Sequence, residues 1–118
     1  MSAVLTYNIE DPKKKELLIR LSIRFNYKLI PVSGTLQSGR IRDILTGQAV
    51  PSTEPNRFTD EMMVIHDFPP QVLSFLLDEL SRNSLTVRLK AVTTPVNLQW
   101  TGAELHSHLL AEYLWNMK

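Results

Sequence analysis

The residues best placed to do chemistry lie in a polar turn between a predicted strand and a predicted helix. Thr93, Thr94 and Asn97 supply hydroxyl and amide groups there, and Arg88 and Lys90 precede them. Such a turn, beside the positive end of a helix, suits an anion, and the basic residues would add counter-charge. We therefore predict an anion or small-ligand site at Lys90, Thr93, Thr94 and Asn97. The alternative is that these side chains only tie down a tight loop.

A second candidate is His66, which ends a predicted strand and would serve a small enzyme as general acid or base. Asp67 follows it, but consecutive strand residues point to opposite faces, so a His–Asp hydrogen bond is not expected. The sequence contains no glycine-rich phosphate loop and no nucleophile elbow. These observations favour a small binding or regulatory module over an enzyme, and we predict no cofactor.

Two further histidines raise the question of a metal. His106 and His108 lie on a predicted helix, where a spacing of two separates the side chains by about 200°. They therefore cannot share an ion, although His108 can meet Glu104 or Glu112 on one face. Two ligands make a weak site, and we predict no metal.

Strands and helices alternate along the chain. Alternating or continuous apolar residues predict strands at 3–7, 28–33, 61–66 and 85–91. Helical spacing predicts helices at about 12–26, 40–46 and 103–116, with a further helix from Pro70 to near Asn83. Asp11 before Pro12 indicates a helix start, and Thr101 with Glu104 forms a capping box.

The two halves of the chain echo each other, because each has a strand, a proline at the helix entry, a leucine-rich helix and a second strand. This pattern predicts an α/β fold with a four-stranded, mainly parallel sheet flanked by helices, in a Rossmann-like or flavodoxin-like form. The alternative is a ferredoxin-like α+β sheet in which two split halves interlock.

The two arrangements place the polar strand ends differently. A parallel sheet ends all its strands at one rim, where ligands bind. That rim would hold Asn8, Ser33, His66, Asp67, Thr93, Thr94 and Asn97. The ferredoxin-like sheet would keep Asn8 with His66 and send Thr94 and Asn97 to the opposite edge.

Composition limits the class of protein. The chain has 118 residues, 43% hydrophobic and 21% charged, which suits a single α/β domain with an irregular linker at about 34–60. We predict a mobile loop at 48–58 within that linker. Without cysteine there is no disulfide or thiol chemistry. The sequence shows neither an apolar run of ~20 residues nor a signal peptide, so we expect a cytoplasmic protein and no membrane partner.

Two surfaces suggest partners. A net charge of +1 argues against nucleic acid, and the basic side of the first helix reads as a solvated face. The alternative is that this basic side is a docking surface for an acidic protein or RNA. The last helix ends in Tyr113, Leu114, Trp115 and Met117. These residues must either pack back on the domain or meet a partner, most simply in a symmetric homodimer.

The stretch from Leu89 to Trp100 resembles a family of small bacterial α/β proteins that is known only as a domain of unknown function. The family signature is Leu-Lys-Ala, two residues, Thr-Pro-x-Asn, two residues and Trp. In this chain it is carried by Leu89, Lys90, Ala91, Thr94, Pro95, Asn97 and Trp100. The segment Glu61-Met62-Met63-Val64 is similar to an upstream strand of that family. The resemblance implies relatives but no assigned chemistry.

Overall fold

Strands and helices alternate in the computed structural model, which describes residues 1–53 and 57–117. Short 3-10 turns at Gly34–Leu36 and Asn97–Gln99 supplement them. The strands are β1 Ala3–Tyr7, β2 Lys28–Val32, β3 Met62–His66 and β4 Leu89–Val92. The helices are α1 Pro12–Phe25, α2 Ile41–Leu45, α3 Pro70–Arg82 and α4 Gly102–Asn116.

The four strands form one sheet in the order β2-β1-β3-β4. β1 is parallel to β2, and β3 is parallel to β4, so the prediction of a mainly parallel, four-stranded α/β sheet is confirmed. The central strands β1 and β3 are antiparallel, with Leu5 opposite Val64, so the sheet is mixed. The interlocked ferredoxin-like alternative is wrong, because the two strands of each half are direct neighbours.

The similarity between the two halves of the sequence corresponds to a structural repeat. Asn8 and Asp67 follow the first strand of each half with φ of 61° and 59°. Asn26 and Ser84 lie just after α1 and α3, with φ of 54° and 56°. Asn and Asp tolerate this left-handed conformation better than most side chains. The halves are related by an approximate two-fold rotation perpendicular to the sheet, because β1 and β3 run in opposite directions.

Helices cover both faces of the sheet, and each face has its own core. On one face Val4 and Met63 pack against leucines of α1 and α3, including Leu18 and Leu76. On the other face Leu5, Tyr7, Met62, Val64 and Leu89 pack against α2 and α4. The alternation of side chains along each strand supplies both sets, since neighbours point to opposite faces.

The helix starts follow the predicted caps. Asp11 accepts a hydrogen bond from the Lys13 amide at 2.9 Å. Thr101 and Glu104 form the reciprocal capping box of α4, with distances of 3.0 and 3.1 Å. Both caps satisfy amides that the first turn of a helix leaves unpaired.

The last strand is shorter than predicted. Leu85 and Val87 are buried, as the alternation requires, but β4 begins only at Leu89. Leu89 pairs with Met62, the first residue of β3, so the preceding residues have no strand beside them.

The irregular linker at 34–60 contains only a 3-10 turn and α2 among its described residues. Residues 54–56 of the predicted mobile loop lie outside the described residues. At the end of that loop, Gln37 donates to the Phe58 carbonyl oxygen at 3.0 Å and accepts from the Phe58 amide at 3.1 Å. Gln37 therefore fixes this end of the linker against the domain.

The last helix buries Leu105 and half-buries Leu109 and Tyr113. Leu114 is 53% exposed because it lies on the outer side of the last turns. Trp115 and Met117 are also exposed. No helix in residues 1–53 and 57–117 is long and apolar enough to cross a membrane.

Candidate functional site

The predicted single rim of polar strand ends does not form. Because β1 is antiparallel to β3, Asn8 and Ser33 lie at one end of the sheet, whereas His66, Thr93 and Asn97 lie at the other. The structure therefore keeps His66 with the turn after β4 and separates both from Asn8. This grouping differs from both predicted arrangements, since neither contains an antiparallel pair between two parallel pairs.

The turn after β4 is closed by its own side chains. The Thr94 amide donates to Asn97 Oδ1 at 2.7 Å, and the Asn97 amide donates to Thr94 Oγ1 at 3.0 Å. Asn97 Nδ2 donates to the Val92 carbonyl oxygen at 3.1 Å, and Asn97 is 7% exposed. These bonds are the tight loop that was the alternative to a ligand site. Ligand binding at Thr93, Thr94 and Asn97 stays a prediction.

The start of α4 next to this turn has no vacant amide in its first turn. The Gly102 and Ala103 amides donate to the carbonyl oxygens of Gly39 and Gln37 at 3.3 and 3.0 Å. The Glu104 amide donates to Thr101 Oγ1. An anion at this helix start would have to displace bonds that join α4 to the linker.

Lys90, the predicted counter-charge, contacts the residues before β4. Its ammonium donates to the Val87 carbonyl oxygen at 2.6 Å, beside Leu80 on the face covered by α3. A part for Lys90 in a site at the turn stays a prediction.

His66 and Asp67 do not form a pair. His66 Nδ1 lies 2.8 Å from Thr93 Oγ1, and the side chain of His66 is partly buried. The α-amino group of Met1 donates to Asp67 Oδ2 at 2.8 Å. This hydrogen bond, with the charge of the ammonium group, lowers the pKa of the Asp67 carboxyl. As expected from strand geometry, the two side chains serve separate contacts.

A cleft opens at the end of the sheet opposite His66, where β3 and β4 begin. It has a volume of about 390 Å³. Its apolar floor is made by Leu89 and by Leu110 and Tyr113 of α4, while charged residues form the rim. We call it the Arg88 cleft, and it is lined by Lys14, Asp60, Glu61, Thr86, Arg88, Leu89, Leu110 and Tyr113.

Most of the charges at the rim of the Arg88 cleft are already matched. Lys14 Nζ forms an ion pair with Glu61 at 2.5 Å, and it also donates to the Thr86 carbonyl oxygen. Asp60 Oδ2 lies 2.8 Å from Nε2 of His106. Arg88 instead places its guanidinium 5.9 Å from the centre of the Tyr113 ring. Within residues 1–53 and 57–117, Arg88 has no carboxylate partner.

The two histidines of α4 point to different contacts. His106 stacks on Phe58, with ring centres 4.2 Å apart, and bonds to Asp60. His108 stacks on Trp100, with ring centres 4.1 Å apart. In the part of the chain that the structure describes, no three His, Asp or Glu side chains are placed to hold a metal ion.

Tyr7 is the least satisfied polar side chain of the core. Its hydroxyl is buried and has no hydrogen-bond partner among the described residues. Burial raises the pKa of Tyr7 above its ordinary value. Its ring lies against Gly102, where an added Cβ would come within 2.6 Å of Tyr7 Cε2. The missing side chain at position 102 is therefore what lets α4 begin on top of β1.

The Arg88 cleft was only partly visible in the sequence. The sequence indicated Arg88 as a counter-charge for the turn after β4, and Tyr113 only as part of the apolar end of the last helix. The signal that links them is the crossing of α4 over β4, which no local pattern reports. The alternation of residues before β4 placed Arg88 on the exposed side, and this was the one feature of the sequence that pointed to the cleft.

These features define a small α/β protein with a mixed sheet, helices on both faces and a cleft beside one edge strand. Residues 61–115 match a family model described as Domain of unknown function (DUF3783). This part of the chain is therefore similar to an uncharacterised family, as the resemblance implied. The matched region runs from the start of β3 into the end of α4. Neither a curated protein nor a solved structure matches the chain.

Proposed function

We propose that the protein is a binding module that holds an anionic ligand in the Arg88 cleft. The observation that carries this proposal is the position of Arg88, which lies over Tyr113 without a carboxylate partner among the described residues. A guanidinium offers a planar fork of donors that matches a carboxylate, and an aromatic face below it restricts its orientation.

The cleft also indicates the kind of ligand. Leu89, Leu110 and Tyr113 offer an apolar and aromatic floor, and Arg88 stands beside them. The volume of about 390 Å³ is within the range of small-ligand sites. A ligand with a carboxylate next to a planar or apolar group fits this combination. Lys14 and Glu61 neutralise each other, so Arg88 would supply the charge that selects the ligand.

The enzyme alternative has less support. His66 is the one acid–base candidate from the sequence, and it lies at the opposite end of β3 from the cleft. It would not reach a ligand held beside Arg88. A site at the turn Thr93–Asn97, a cytoplasmic location and a homodimer through the end of α4 stay predictions.

The proposal is tested with indole-3-acetate and its neutral analogue indole-3-acetamide. Isotope-labelled protein is titrated with each compound, and the backbone amide signals are followed by NMR. Indole-3-acetate should shift signals around Arg88, Leu110 and Tyr113, whereas the acetamide should bind at least about tenfold more weakly because it lacks the charge.

Arginine variants provide the matched control. Arg88→Ala should weaken binding of indole-3-acetate about tenfold or more. Arg20→Ala removes an exposed arginine of α1, for which the described residues likewise provide no ion pair, and it should change nothing. Equal binding of the two compounds, or unchanged binding by Arg88→Ala, would overturn the proposal.

A further inference from the structure

The two edges of the sheet differ in whether they can accept another strand. β2 and β4 are the outer strands. An outer strand presents every second backbone amide and carbonyl away from its neighbour, and these groups can pair with an added chain. The direction in which each residue points can be worked out from bonds at the strand ends.

Proline blocks the edge of β2. The Lys28 amide donates to the Ser2 carbonyl oxygen at 2.9 Å, so Lys28, and by alternation Ile30 and Val32, point toward β1. Leu29 and Pro31 therefore point outward. Proline has no amide hydrogen, so the middle of this edge cannot donate to an added strand.

The edge of β4 is open. The Thr93 amide donates to the Ile65 carbonyl oxygen at 2.9 Å, so Lys90 and Val92 point away from β3. The outward direction of Val92 is supported independently, because its carbonyl oxygen accepts from Asn97 Nδ2. The Lys90 and Val92 amides have no acceptor among residues 1–53 and 57–117. The Val92 side chain is 46% exposed.

The charges along this edge favour an acidic partner. Arg88 precedes β4 without a carboxylate partner among the described residues, and the Lys90 ammonium is bonded only to a neutral carbonyl there. A second copy paired through the same edge would bring these cations against their own equivalents, which destabilises a strand pair. A chain with a carboxylate on the side of α4 would compensate Arg88.

We infer that β4 accepts an extended acidic peptide as a fifth strand of the sheet. The peptide backbone bonds to the outward amides of Lys90 and Val92 and to the Lys90 carbonyl oxygen, and one of its carboxylates binds Arg88. Its apolar residues lie near Val92 and the exposed Val96. This inference rests on the proposed function, because the Arg88 cleft supplies the anion-binding end of the same surface. Strand addition of this kind gives affinity through the backbone and specificity through side chains.

The test uses a capped peptide of about six residues that alternates glutamate and valine, a length that spans β4. A peptide alternating lysine and valine is the charge control. Hydrogen exchange of single amides is followed by NMR in free and peptide-saturated protein. With the acidic peptide, the Lys90 and Val92 amides should exchange at least about tenfold more slowly, while the Leu29 amide at the other edge keeps its rate.

Two variants at position 92 separate the contribution of the backbone amide to peptide binding from that of the side chain. Val92→Pro removes an outward amide and leaves the bonds to β3 in place, so it should weaken the acidic peptide about tenfold or more. Val92→Thr keeps the amide and the branched shape, and it should bind as the unmodified protein does. The amide spectrum of each variant reports whether it is folded.

The outcomes distinguish this inference from the proposed function. If Arg88→Ala weakens the peptide but Val92→Pro and the two amides are unaffected, strand addition is wrong and the anion site stands. If indole-3-acetate binds and the acidic peptide does not, strand addition is wrong and the proposed anion site is unaffected. Equal binding of the lysine peptide also overturns it. If the Lys90 and Val92 amides of the free protein exchange more slowly at higher protein concentration, the edge of β4 pairs with a second copy of the chain and not with a peptide.

Discussion

The backbone of Gly102 lies directly against the ring of Tyr7, and a Cβ at position 102 would be 2.6 Å from Tyr7 Cε2. Both groups are buried between β1 and the first turn of α4. Contacts this short do not occur between real atoms, so either the ring or the helix would have to move. The packing of α4 on the sheet therefore depends on the absence of a side chain here.

We predict that Gly102→Ala lowers the free energy of unfolding by about 2–4 kcal/mol, because overpacking strains a buried contact. The sign is informative, since replacing glycine by alanine in a helix ordinarily stabilises by about 1 kcal/mol. Urea denaturation measures the difference. The same substitution in a Tyr7→Leu background should cost much less, and an equal cost in both backgrounds would contradict the contact.

Two buried tyrosines provide a matched comparison of a satisfied and an unsatisfied hydroxyl. The Tyr27 hydroxyl donates to the Leu18 carbonyl oxygen at 2.8 Å, whereas the Tyr7 hydroxyl has no partner among the described residues. Tyr27→Phe should lower the free energy of unfolding by about 1 kcal/mol, and Tyr7→Phe should leave it unchanged or raise it by about 1 kcal/mol. Both values come from denaturant unfolding, and a clear loss in Tyr7→Phe would indicate an unseen partner.

Alkaline pH should reduce stability through the same tyrosines. Burial raises the pKa of both Tyr7 and Tyr27 above the ordinary value of about 10. Their contribution is complete below that value and is lost as pH rises above it, because the unfolded chain ionises while the folded chain does not. Each phenylalanine variant should reduce the decline by up to about 1.4 kcal/mol per pH unit. Unfolding curves at ~pH 9 and ~pH 11 test this, and identical slopes in variant and unmodified protein would contradict it.

Gln37 fixes the end of the linker, and its replacement should lower the stability of the protein. It is 4% exposed, and its amide group contacts both Phe58 backbone groups and Asn8 Oδ1. Gln37→Ala should lower the free energy of unfolding by about 2–3 kcal/mol, since three partly buried hydrogen bonds are lost.

The same substitution should make trypsin cleave faster after Arg57, because Phe58 would no longer be held. Gln71→Ala, at an exposed position in the first turn of α3, is the control and should change neither stability nor cleavage. Unchanged cleavage in Gln37→Ala would show that other contacts hold this segment.

The helices and strands could be predicted from the sequence because capping residues and apolar periodicity act over a few neighbouring residues. Asp11 with Pro12, and Thr101 with Glu104, marked two helix starts correctly. The repeated strand–helix–strand pattern predicted two parallel pairs, and both formed. The relative direction of the two halves was not predictable, because the linker between β2 and β3 is long enough to return the chain in either direction.

The single rim of polar strand ends was predicted wrongly, because β1 and β3 were expected to be parallel and are antiparallel. Had β1 and β3 been parallel, Asn8 would have joined His66 at one rim, and that rim would have been the ligand site. The antiparallel pairing instead separates them and leaves the Arg88 cleft at the opposite end of β3. Arg88 and Tyr113 meet only through the crossing of α4 over β4, and such a long-range contact leaves no periodic trace in the sequence.

Asn97 connects the structural and the ligand interpretations of the turn after β4, and a variant separates them. Its side chain bonds to the Thr94 amide and the Val92 carbonyl oxygen, and its amide bonds to Thr94 Oγ1. Asn97→Ala should lower the free energy of unfolding by about 1–3 kcal/mol, since two partly buried backbone groups lose their partners. Asn116→Ala, at an exposed position of α4, should be neutral. If Asn97→Ala unfolds at the same urea concentration as the unmodified protein, these bonds do not stabilise the turn, and a ligand role for its polar groups gains weight. A large loss of stability instead assigns Asn97 to the loop that carries the chain from the open edge of β4 into α4.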